Sequence, residues 1–393
     1  MDEESQCWRR RKPLIKGGEL NGRELLEFRA TLLEWFRAYQ RDLPWRKNRD
    51  PYRIWISEIM LQQTRVAAVI PYYEKFLACF PDVKSLAAAP QEEVLRLWSG
   101  LGYYSRARNL HKAAQQIVTK HGGKFPRHRE EVLSLAGIGE YTAAAILSIA
   151  FDEKHAVLDG NVARVLARLE AIRGDLREPN RWRNLQITAS RLLAGESPGD
   201  WNQAMMELGA TLCTPRAPQC LLCPIAQFCE ARKLGIAESL PEKRKKRATV
   251  AVQLVSVVLL DAKANTLLLP PPTALSKSAT DDHIPSLVAR LWHFPTASIQ
   301  KSAIGALSTL LHRDLRIKKS QSIRPELLEN VRHTVTYRAI TVLPYLVRVK
   351  QLPKISVAKR VPIQDFQSVP VSNLTRKIAR TAIKYGSDEK SAN

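Results

Sequence analysis

The stretch at residues 135–164 places the strongest constraint on what this chain can fold into. Gly137 and Gly139 stand between two apolar helical patterns, at residues 130–136 and 140–151, and this arrangement predicts two helices joined by a tight hairpin. Glycine permits the positive φ and the bare backbone that such a hairpin needs. The free N–H groups at the start of the second helix could hold a phosphate. A plain turn between two helices is the alternative.

Two acidic residues stand where an enzyme could use them for acid–base chemistry. Asp159 precedes a predicted helix at residues 161–169, where it is either an N-cap or a functional carboxylate. Glu58 has Ile54 and Leu61 as helical neighbours, so it lies on an apolar face. Burial there would raise the pKa of Glu58 and let it donate a proton at neutral pH. A buried glutamate paired with an arginine is the alternative.

Four cysteines lie between positions 213 and 229, with the spacing Cys-x6-Cys-x2-Cys-x5-Cys: Cys213, Cys220, Cys223 and Cys229. The chain has only six cysteines, too few for a disulfide scaffold, so the cluster predicts a metal site in a reducing compartment. Three close cysteines with an outlying fourth suit an iron–sulfur cluster that clamps the loop, with structural zinc as the alternative.

The charge balance predicts a polyanionic partner. Lys and Arg number 61 against 38 Asp and Glu, a formal net charge of +23, which favours nucleic acid. The N-terminal residues have no apolar core of the kind found in secretory signals, and no apolar stretch approaches the roughly 20 residues that span a bilayer. We therefore expect no membrane association and an intracellular location, cytoplasmic or associated with the nucleoid.

The hydrophobic period changes along the chain and predicts two domains. Helical spacing dominates residues 21–234, whereas alternating strands begin near position 250, with a hairpin of strands at 250–260 and 266–269 and further strands at 291–294 and 331–349. The expected segments are a flexible basic N-terminus at 1–20, a mainly α domain at 21–234, a basic linker at 235–249, a smaller α+β domain at 250–385 with a mobile loop at 270–285, and a disordered tail at 386–393.

In their order along the chain, these residues resemble the MutY-type adenine DNA glycosylases of the helix-hairpin-helix superfamily. The resemblance covers about residues 25–229 and rests on Leu43-Pro44-Trp45-Arg46, on the runs 57–64, 100–110 and 135–146, and on Leu158-Asp159-Gly160-Asn161-Val162. It implies a helix-hairpin-helix glycosylase domain whose loop at 213–229 holds a 4Fe-4S cluster. Residues 250–349 are similar to that family's Nudix-related C-terminal domain, on Leu291-Trp292-His293-Phe294-Pro295 and Arg332-His333-Thr334.

The resemblance implies a base excision repair enzyme that removes adenine opposite 8-oxoguanine or guanine. In that family the residue matching Glu58 protonates the flipped adenine and the residue matching Asp159 stabilises the sugar. We expect the pKa of Asp159 to be lowered, so that it stays ionised, because helix N–H groups favour its charged form. Tyr141 and Asn161 would place the sugar or the water. Endonuclease III-like glycosylase/lyases carry a lysine at the position of Tyr141, and tyrosine has no amine, so a monofunctional glycosylase is expected.

Two other functions remain open: a bifunctional glycosylase/lyase acting on oxidised pyrimidines, and a non-catalytic iron–sulfur DNA-binding protein. The resemblance assigns contacts with double-stranded DNA to one set of residues: Gly137, Gly139, Gln63, Tyr103, Leu61, Trp45, Arg46 and Thr336. Thr336 lies in Val335-Thr336-Tyr337, where the family usually has Phe-Ser-His, so only a hydroxyl is kept. The second domain lacks the acidic box of a diphosphate hydrolase and is expected to read the lesion. We expect a monomer.

Overall fold

The computed structural model describes residues 21–242, 248–270, 291–317, 323–366 and 369–391. Contacts divide the chain into two compact units, with the boundaries 1–87 and 112–245 for unit 1 and 88–111 and 246–393 for unit 2. Residues 88–111 thus belong to the unit that holds the C-terminal part, although the sequence analysis assigned them to the first domain. The expected flexible N-terminus at 1–20, the linker residues 243–247 and nearly all of the loop at 270–285 lie outside the described residues.

Unit 1 is built from α-helices, as the helical period predicts. Its helices are α1 Gly22–Tyr39, α2 Pro51–Leu61, α3 Val66–Cys79, α4 Val83–Ala88, the second half of α6 Ser105–His121, α7 Arg129–Leu133, α8 Glu140–Phe151, α9 Gly160–Leu169, α10 Pro179–Leu192, α11 Pro198–Thr211 and α12 Glu230–Lys233. Seven of the twelve residues of α8 are buried, five of them apolar, and this helix packs against α2 and α11.

Glycines on α11 bring three helices close together. A Cβ added to Gly199 would stand 2.7 Å from the carbonyl oxygen of Ser148 on α8, and one added to Gly209 would stand 2.9 Å from Cβ of Asn161 on α9. Real Cβ atoms do not approach other atoms that closely, so only glycine permits this packing. The consequence is that Asn161, at the start of α9, is held against α11.

Two aspartates start helices in the way the sequence predicts. Asp50 precedes α2, where its Oδ1 accepts a hydrogen bond from the Tyr52 N–H at 2.9 Å and Pro51 occupies the first turn. Asp159 precedes α9, where its Oδ1 accepts from the N–H groups of Asn161 and Val162 at 2.9 and 2.7 Å. These caps satisfy backbone donors that would otherwise be unpaired at the start of each helix.

Unit 2 is an α+β structure, which confirms the predicted fold class. Its strands are β1 Val250–Leu260, β2 Asn265–Leu268, β3 Thr296–Ser298, β4 Glu326–Leu327, β5 Val331–Val335, β6 Arg338–Arg348 and β7 Lys359–Pro362, and its helices are α5 Gln91–Leu97, the first half of α6, α13 Ala303–Thr309 and α14 Asn373–Ser391. In the larger sheet, β1 is flanked by β3 and, in parallel, by β6, and β6 also pairs antiparallel with β4 and β5.

The predicted hairpin of β1 and β2 is wrong. Asp261 Oδ1 accepts from the N–H groups of Lys263 and Asn265, which turns the chain out of the larger sheet. Strand β2 then pairs antiparallel with β7 in a separate two-stranded sheet. Residues 291–294 likewise form only isolated bridges instead of a strand. Alternation marked the strands but carried no information about their partners.

Helix α14 runs to Ser391, beyond position 385, where the sequence analysis placed the start of a disordered tail. Among the described residues, no helix is long and apolar enough to cross a membrane. The Nudix-like assignment of unit 2 stays a prediction.

Candidate active site

Unit 1 contains a cavity of about 640 Å³. Helices α2, α8, α9 and α11 supply most of its lining, together with the segment at residues 41–46. Eight residues predicted from the sequence line it: Trp45, Arg46, Glu58, Leu61, Gln63, Tyr141, Asp159 and Asn161. The structure therefore brings together both predicted acids and four of the residues that the resemblance assigns to DNA contact, from segments more than a hundred positions apart.

Glu58 has the desolvated setting that its apolar helix face predicts. The residue is 6% exposed, and burial raises the pKa of its carboxyl from 4.5 to about 7. The hydroxyl of Tyr141 donates to Glu58 Oε2 at 2.7 Å and holds the carboxyl in place, although this bond by itself lowers the pKa. Glu58 can therefore carry a proton near neutral pH and face the cavity with it.

The expected direction of the Asp159 pKa is wrong. Burial raises the pKa of Asp159 above its ordinary value of 3.8, and this effect outweighs the hydrogen bonds from Val162 and Asn161. The prediction counted the helix N–H groups but not the loss of water around a carboxylate inside the cavity. Oδ2 accepts from Asn161 Nδ2 at 3.2 Å, while both helix N–H bonds go to Oδ1. Oδ2 is thus the oxygen with more capacity left for a ligand.

Tyr141 and Asn161 each hold one of the acids. The Tyr141 hydroxyl contacts Glu58 and lies 3.1 Å from Met206 Sδ, and the Asn161 amide bonds Asp159. Both residues also line the cavity. Their predicted roles in placing the sugar or the water stay predictions. Burial raises the pKa of Tyr141 well above its ordinary value, so its hydroxyl stays a donor.

Sequence reasoning missed Glu207, which lines the cavity from α11 and is 1% exposed. Arg41 donates to both of its oxygens at 2.7 and 2.8 Å, and Arg46 Nη2 donates to Oε2 at 2.8 Å. Burial alone would raise the pKa of Glu207, but the two arginines lower it to about 2. The arginines around Trp45 are the sequence signal for a buried acidic partner, but their spacing does not identify Glu207 as that partner.

The four cysteines line one small cavity, with Arg168 at its wall. Arg168 Nη1 donates to Cys213 Sγ at 3.2 Å, and burial raises the pKa of Cys223 to about 12. Thiols in such a site need bound iron to become thiolates. Within the described part of the chain, no three Cys, His, Asp or Glu side chains are grouped for one metal ion. The four thiols surround a space, so they fit a cluster better than a single zinc.

A chain of hydrogen bonds joins this cysteine loop to the cavity. Arg164 Nε donates to the Cys213 carbonyl oxygen at 2.9 Å, and Arg164 Nη2 donates to Asn161 Oδ1 at 2.9 Å. Asn161 in turn bonds Asp159. The loop that holds the cysteines therefore also helps to orient the amide beside Asp159.

Comparison with known proteins identifies the family of this chain. The profile of the HhH-GPD superfamily of base excision DNA repair proteins matches residues 56–188, and that of the iron–sulfur binding domain of endonuclease III matches residues 213–229. A thermostable thymine-DNA glycosylase of known structure is 31% identical, with a TM-score of 0.50 over 55% of this chain and 100% of that one. The chain belongs to the HhH-GPD superfamily. The match at 213–229 also confirms the predicted 4Fe-4S cofactor.

Adenine DNA glycosylases are prominent among the relatives of this HhH-GPD protein. The Homo sapiens protein is 47% identical over 219 residues, which cover 53% of this chain and 40% of that protein. The protein from Buchnera aphidicola subsp. Acyrthosiphon pisum is 42% identical over 221 residues, 56% of this chain and 63% of its own length. The chain thus spans less than two thirds of the length of these curated relatives.

The two glycines of the helix-hairpin-helix turn differ in backbone conformation. Gly137 has φ +77°, a conformation that favours glycine, whereas Gly139 has φ −105° and caps α8. A Cβ on Gly139 would meet no described atom within 4 Å. The backbone conformation therefore explains Gly137, whereas neither the conformation nor a close contact among the described residues explains Gly139, and the space beside its Cα is open.

Three residues predicted to contact DNA share a left-handed backbone. Gln63 has φ +57°, Tyr103 has φ +48° and Thr336 has φ +55°. Such values are uncommon outside glycine and are costly for a β-branched residue such as threonine, so they mark sites where function and strain often coincide. Gln63 belongs to unit 1, and Tyr103 and Thr336 belong to unit 2.

Thr336 lies in the tight turn between β5 and β6. Its hydroxyl donates to the Val335 carbonyl oxygen at 2.7 Å, and the Arg338 guanidinium lies 5.2 Å from the ring centre of Tyr337. The hydroxyl expected to donate to a lesion is therefore bonded to its own backbone here. Beside it, the Arg338 guanidinium lies over the ring of Tyr337.

Proposed function

We propose that the protein is a monofunctional DNA glycosylase that releases adenine opposite 8-oxoguanine or guanine in duplex DNA. The observation that carries the proposal is the pair Glu58 and Asp159 in one cavity, the first able to hold a proton near neutral pH. The similarity to adenine DNA glycosylases supports the choice of base.

In the proposed reaction, the adenine nucleotide leaves the base stack and enters the cavity. Glu58 transfers its proton to a ring nitrogen of adenine, and the bond to sugar C1′ breaks with both electrons on the base. Asp159 stabilises the positive sugar through its carboxylate. Water then adds to C1′ and returns a proton to Glu58, which leaves free adenine and an abasic site.

The other side of the cavity supplies a fixed ion-pair cluster and apolar walls. Glu207 stays ionised because Arg41 and Arg46 hold it. Its two oxygens already accept four hydrogen bonds, three from Arg41 and one from Arg46, so Glu207 holds the arginines in place. Trp45 and Ile54 provide apolar walls for a base. The choice of adenine in this proposal is supported by the similarity to adenine DNA glycosylases.

The cavity argues against a lyase. A Schiff base needs a lysine amine, and among the described residues that line the cavity there is no lysine. Tyr141 occupies the position at which endonuclease III-like glycosylase/lyases carry a lysine, and its hydroxyl is engaged with Glu58. The product of the proposed reaction is therefore an abasic site on an unbroken strand.

Duplex DNA is the proposed partner, supported by the net charge of +23 and the open backbone at Gly139. The cavity is complete within one chain, so we propose that a monomer acts, in the compartment that holds the DNA. The 4Fe-4S cluster, when bound, ties Cys213, Cys220, Cys223 and Cys229 into one clamp. The Tyr337 turn of unit 2 is proposed to read 8-oxoguanine.

One assay tests the function. The protein is incubated with four duplexes: adenine opposite 8-oxoguanine, adenine opposite guanine, thymine opposite guanine, and thymine glycol opposite adenine. Strands are then resolved before and after alkali. We expect breaks only on the two adenine duplexes and only after alkali, because an abasic site is alkali-labile.

Other outcomes would overturn specific parts of the proposal. Absence of adenine release from both adenine duplexes would reject it outright. Breaks without alkali would show lyase chemistry, and release of thymine alone would give the protein the activity named for its structural neighbour. A preparation of Glu58→Gln serves as the control for contaminating glycosylases.

A further inference from the structure

The loop between α5 and α6 presents one aromatic side chain on a strained backbone. Gly100 and Gly102 have φ values of +118° and +76°, and Tyr103 follows with φ +48°. Tyr103 is 48% exposed, whereas the next residue, Tyr104, is 4% exposed. Of two adjacent tyrosines, one is therefore presented outward and the other is part of the packing beneath it.

Residues at the start of α14 form hydrogen bonds with this loop, although they lie far from it in the sequence. Ser99 Oγ donates to the Val371 carbonyl oxygen at 2.9 Å, and the Tyr104 hydroxyl donates to the same oxygen at 3.2 Å. Arg376 Nη2 donates to Ser99 Oγ at 2.8 Å, and Asn373 Nδ2 donates to the Gly100 carbonyl oxygen at 3.3 Å. Four hydrogen bonds thus tie the loop to a segment about 270 positions away in the chain.

Bonds within the loop carry this support as far as Tyr103. The Gly100 N–H donates to the Tyr104 hydroxyl at 3.2 Å. Trp98 Nε1 and Arg106 Nη2 each donate to the Gly102 carbonyl oxygen at 3.2 Å. The Arg106 guanidinium also lies 5.6 Å from the Tyr103 ring centre. Together with the two buried bonds to the Val371 carbonyl oxygen, these part-buried bonds favour one arrangement of the loop.

We propose that the start of α14 positions the Tyr103 loop for insertion into the DNA base stack, with Arg376 as the positioning residue. An inserted aromatic side chain must resist the duplex that it separates, because unstacking a base step costs a few kcal/mol. A loop held at Val371 and Gly100 keeps Tyr103 in its inserting conformation before DNA arrives. This inference rests on the proposed function, since duplex DNA is the partner.

The test is a double-mutant cycle on the full chain. Arg376→Met, Tyr103→Ala and the double variant are titrated with a duplex that carries 2′-fluoro-2′-deoxyadenosine opposite 8-oxoguanine, which resists cleavage. A 2-aminopurine next to the lesion brightens when its step is unstacked. Ser99→Ala breaks the same link without removing a charge. Arg380→Met is the matched control, because Arg380 is exposed one turn further along α14.

We expect Arg376→Met and Ser99→Ala to weaken binding to this duplex by about tenfold and to reduce the 2-aminopurine signal. Because Arg376 acts through Tyr103, the effects of the two substitutions on binding free energy should not be additive. In the Tyr103→Ala background, Arg376→Met should then add less than about threefold. Arg380→Met should also weaken binding by less than about threefold and leave the signal unchanged. A variant that merely loosens the fold would not lose its effect when Tyr103 is absent.

The proposal is overturned if the effects of Arg376→Met and Tyr103→Ala multiply, or if both Arg376→Met and Ser99→Ala bind and unstack like the unmodified protein. Its failure is separable from that of the proposed function. If the unmodified protein releases no adenine yet the two residues remain coupled in binding, the glycosylase proposal fails and the positioning role stands. If adenine is released but Arg376 and Tyr103 are not coupled in binding, the glycosylase proposal stands and the positioning role fails.

Discussion

Two glutamates face the same cavity from opposite electrostatic surroundings. Glu58, on α2, is buried with a tyrosine hydroxyl as its hydrogen-bond partner, and its pKa rises to about 7. Glu207, on α11, is buried as deeply but is held by Arg41 and Arg46, and its pKa falls to about 2. Burial is the largest influence on both carboxyls and acts upward on both.

Because both carboxyls are buried, the difference between their pKa values comes from their hydrogen-bond partners. A tyrosine donor leaves Glu58 able to carry a proton, whereas two guanidinium groups keep Glu207 ionised near neutral pH. One cavity thereby gains a proton donor on one wall and a fixed anion on the other. The following predictions test this contrast, in order of decreasing effect.

Replacing Glu58 with Gln should lower the single-turnover rate of adenine release by about 1000-fold, which corresponds to about 4 kcal/mol in the barrier. Glutamine keeps the shape and the bond from Tyr141 but cannot deliver a proton. Rapid-quench kinetics on the adenine:8-oxoguanine duplex measure the rate. Binding to the 2′-fluoro duplex should be unchanged, and a rate within tenfold of the unmodified protein would remove Glu58 from the chemistry.

The same substitution at the two glutamates should change stability in opposite directions. At pH 8, Glu58→Gln should raise the free energy of unfolding, because folding raises the pKa of Glu58 from 4.5 to about 7. Glu207→Gln should lower it, because folding lowers the pKa of Glu207 from 4.5 to about 2. Each change is on the order of 3 kcal/mol. Urea denaturation measures both. If both substitutions changed the free energy of unfolding in the same direction, burial and not the hydrogen-bond partner would determine the stability contribution of each glutamate.

The pH dependence of that stability sharpens the comparison. Because the pKa of Glu58 is raised from 4.5 in the unfolded chain to about 7, the native protein loses stability as pH rises between those values. The advantage of Glu58→Gln should therefore vanish below about pH 4.5. Glu207, with a lowered pKa, stabilises the native protein above pH 4.5 and loses this contribution as pH falls toward 2.

The rate of adenine release should follow the protonation of Glu58. Since its pKa is about 7, we expect a plateau below neutrality for as long as Asp159 stays ionised, and a fall approaching tenfold per unit well above neutrality, about 1.4 kcal/mol per unit. A single-turnover pH profile measures this. A rate that stayed level up to pH 9 would show that Glu58 does not donate the proton.

The smallest effects are expected at the hairpin. Gly137→Ala should lower the free energy of unfolding by about 1–2 kcal/mol because its φ is +77°. Gly139→Ala should change it by less than about 0.5 kcal/mol, since its added Cβ meets nothing, and should instead weaken binding to DNA. Thermal unfolding and a binding titration separate the two. Equal losses of stability would mean that both glycines serve the fold alone.

Local patterns predicted the elements of this molecule well. The helical period identified the helices of unit 1, and the residues at Asp50-Pro51 and Asp159 marked helix starts that the structure contains. The apolar neighbours of Glu58 predicted its raised pKa, because they lie on the same helix three and four positions away. Predictions of this kind succeed when cause and effect lie within one turn of helix.

Predictions failed where distant segments supply the cause. Alternation identified β1 and β2 as strands but paired them wrongly, because a ladder depends on which strand packs alongside. The pKa of Asp159 was predicted in the wrong direction, since the helix N–H groups are local and the surrounding walls are not. Glu207 was overlooked because its arginines precede it by more than 160 positions.

The amino-acid order alone thus established the chemical inventory: two carboxylates, four cysteines in a cluster spacing, a hairpin with glycines and a tyrosine in place of lysine. Tertiary packing set the ionisation of each acid, gave Glu207 its arginines and tied the Tyr103 loop to the start of α14. The physical reason is that propensities and caps act over a few residues, whereas desolvation and ion pairing depend on whatever the fold brings into contact.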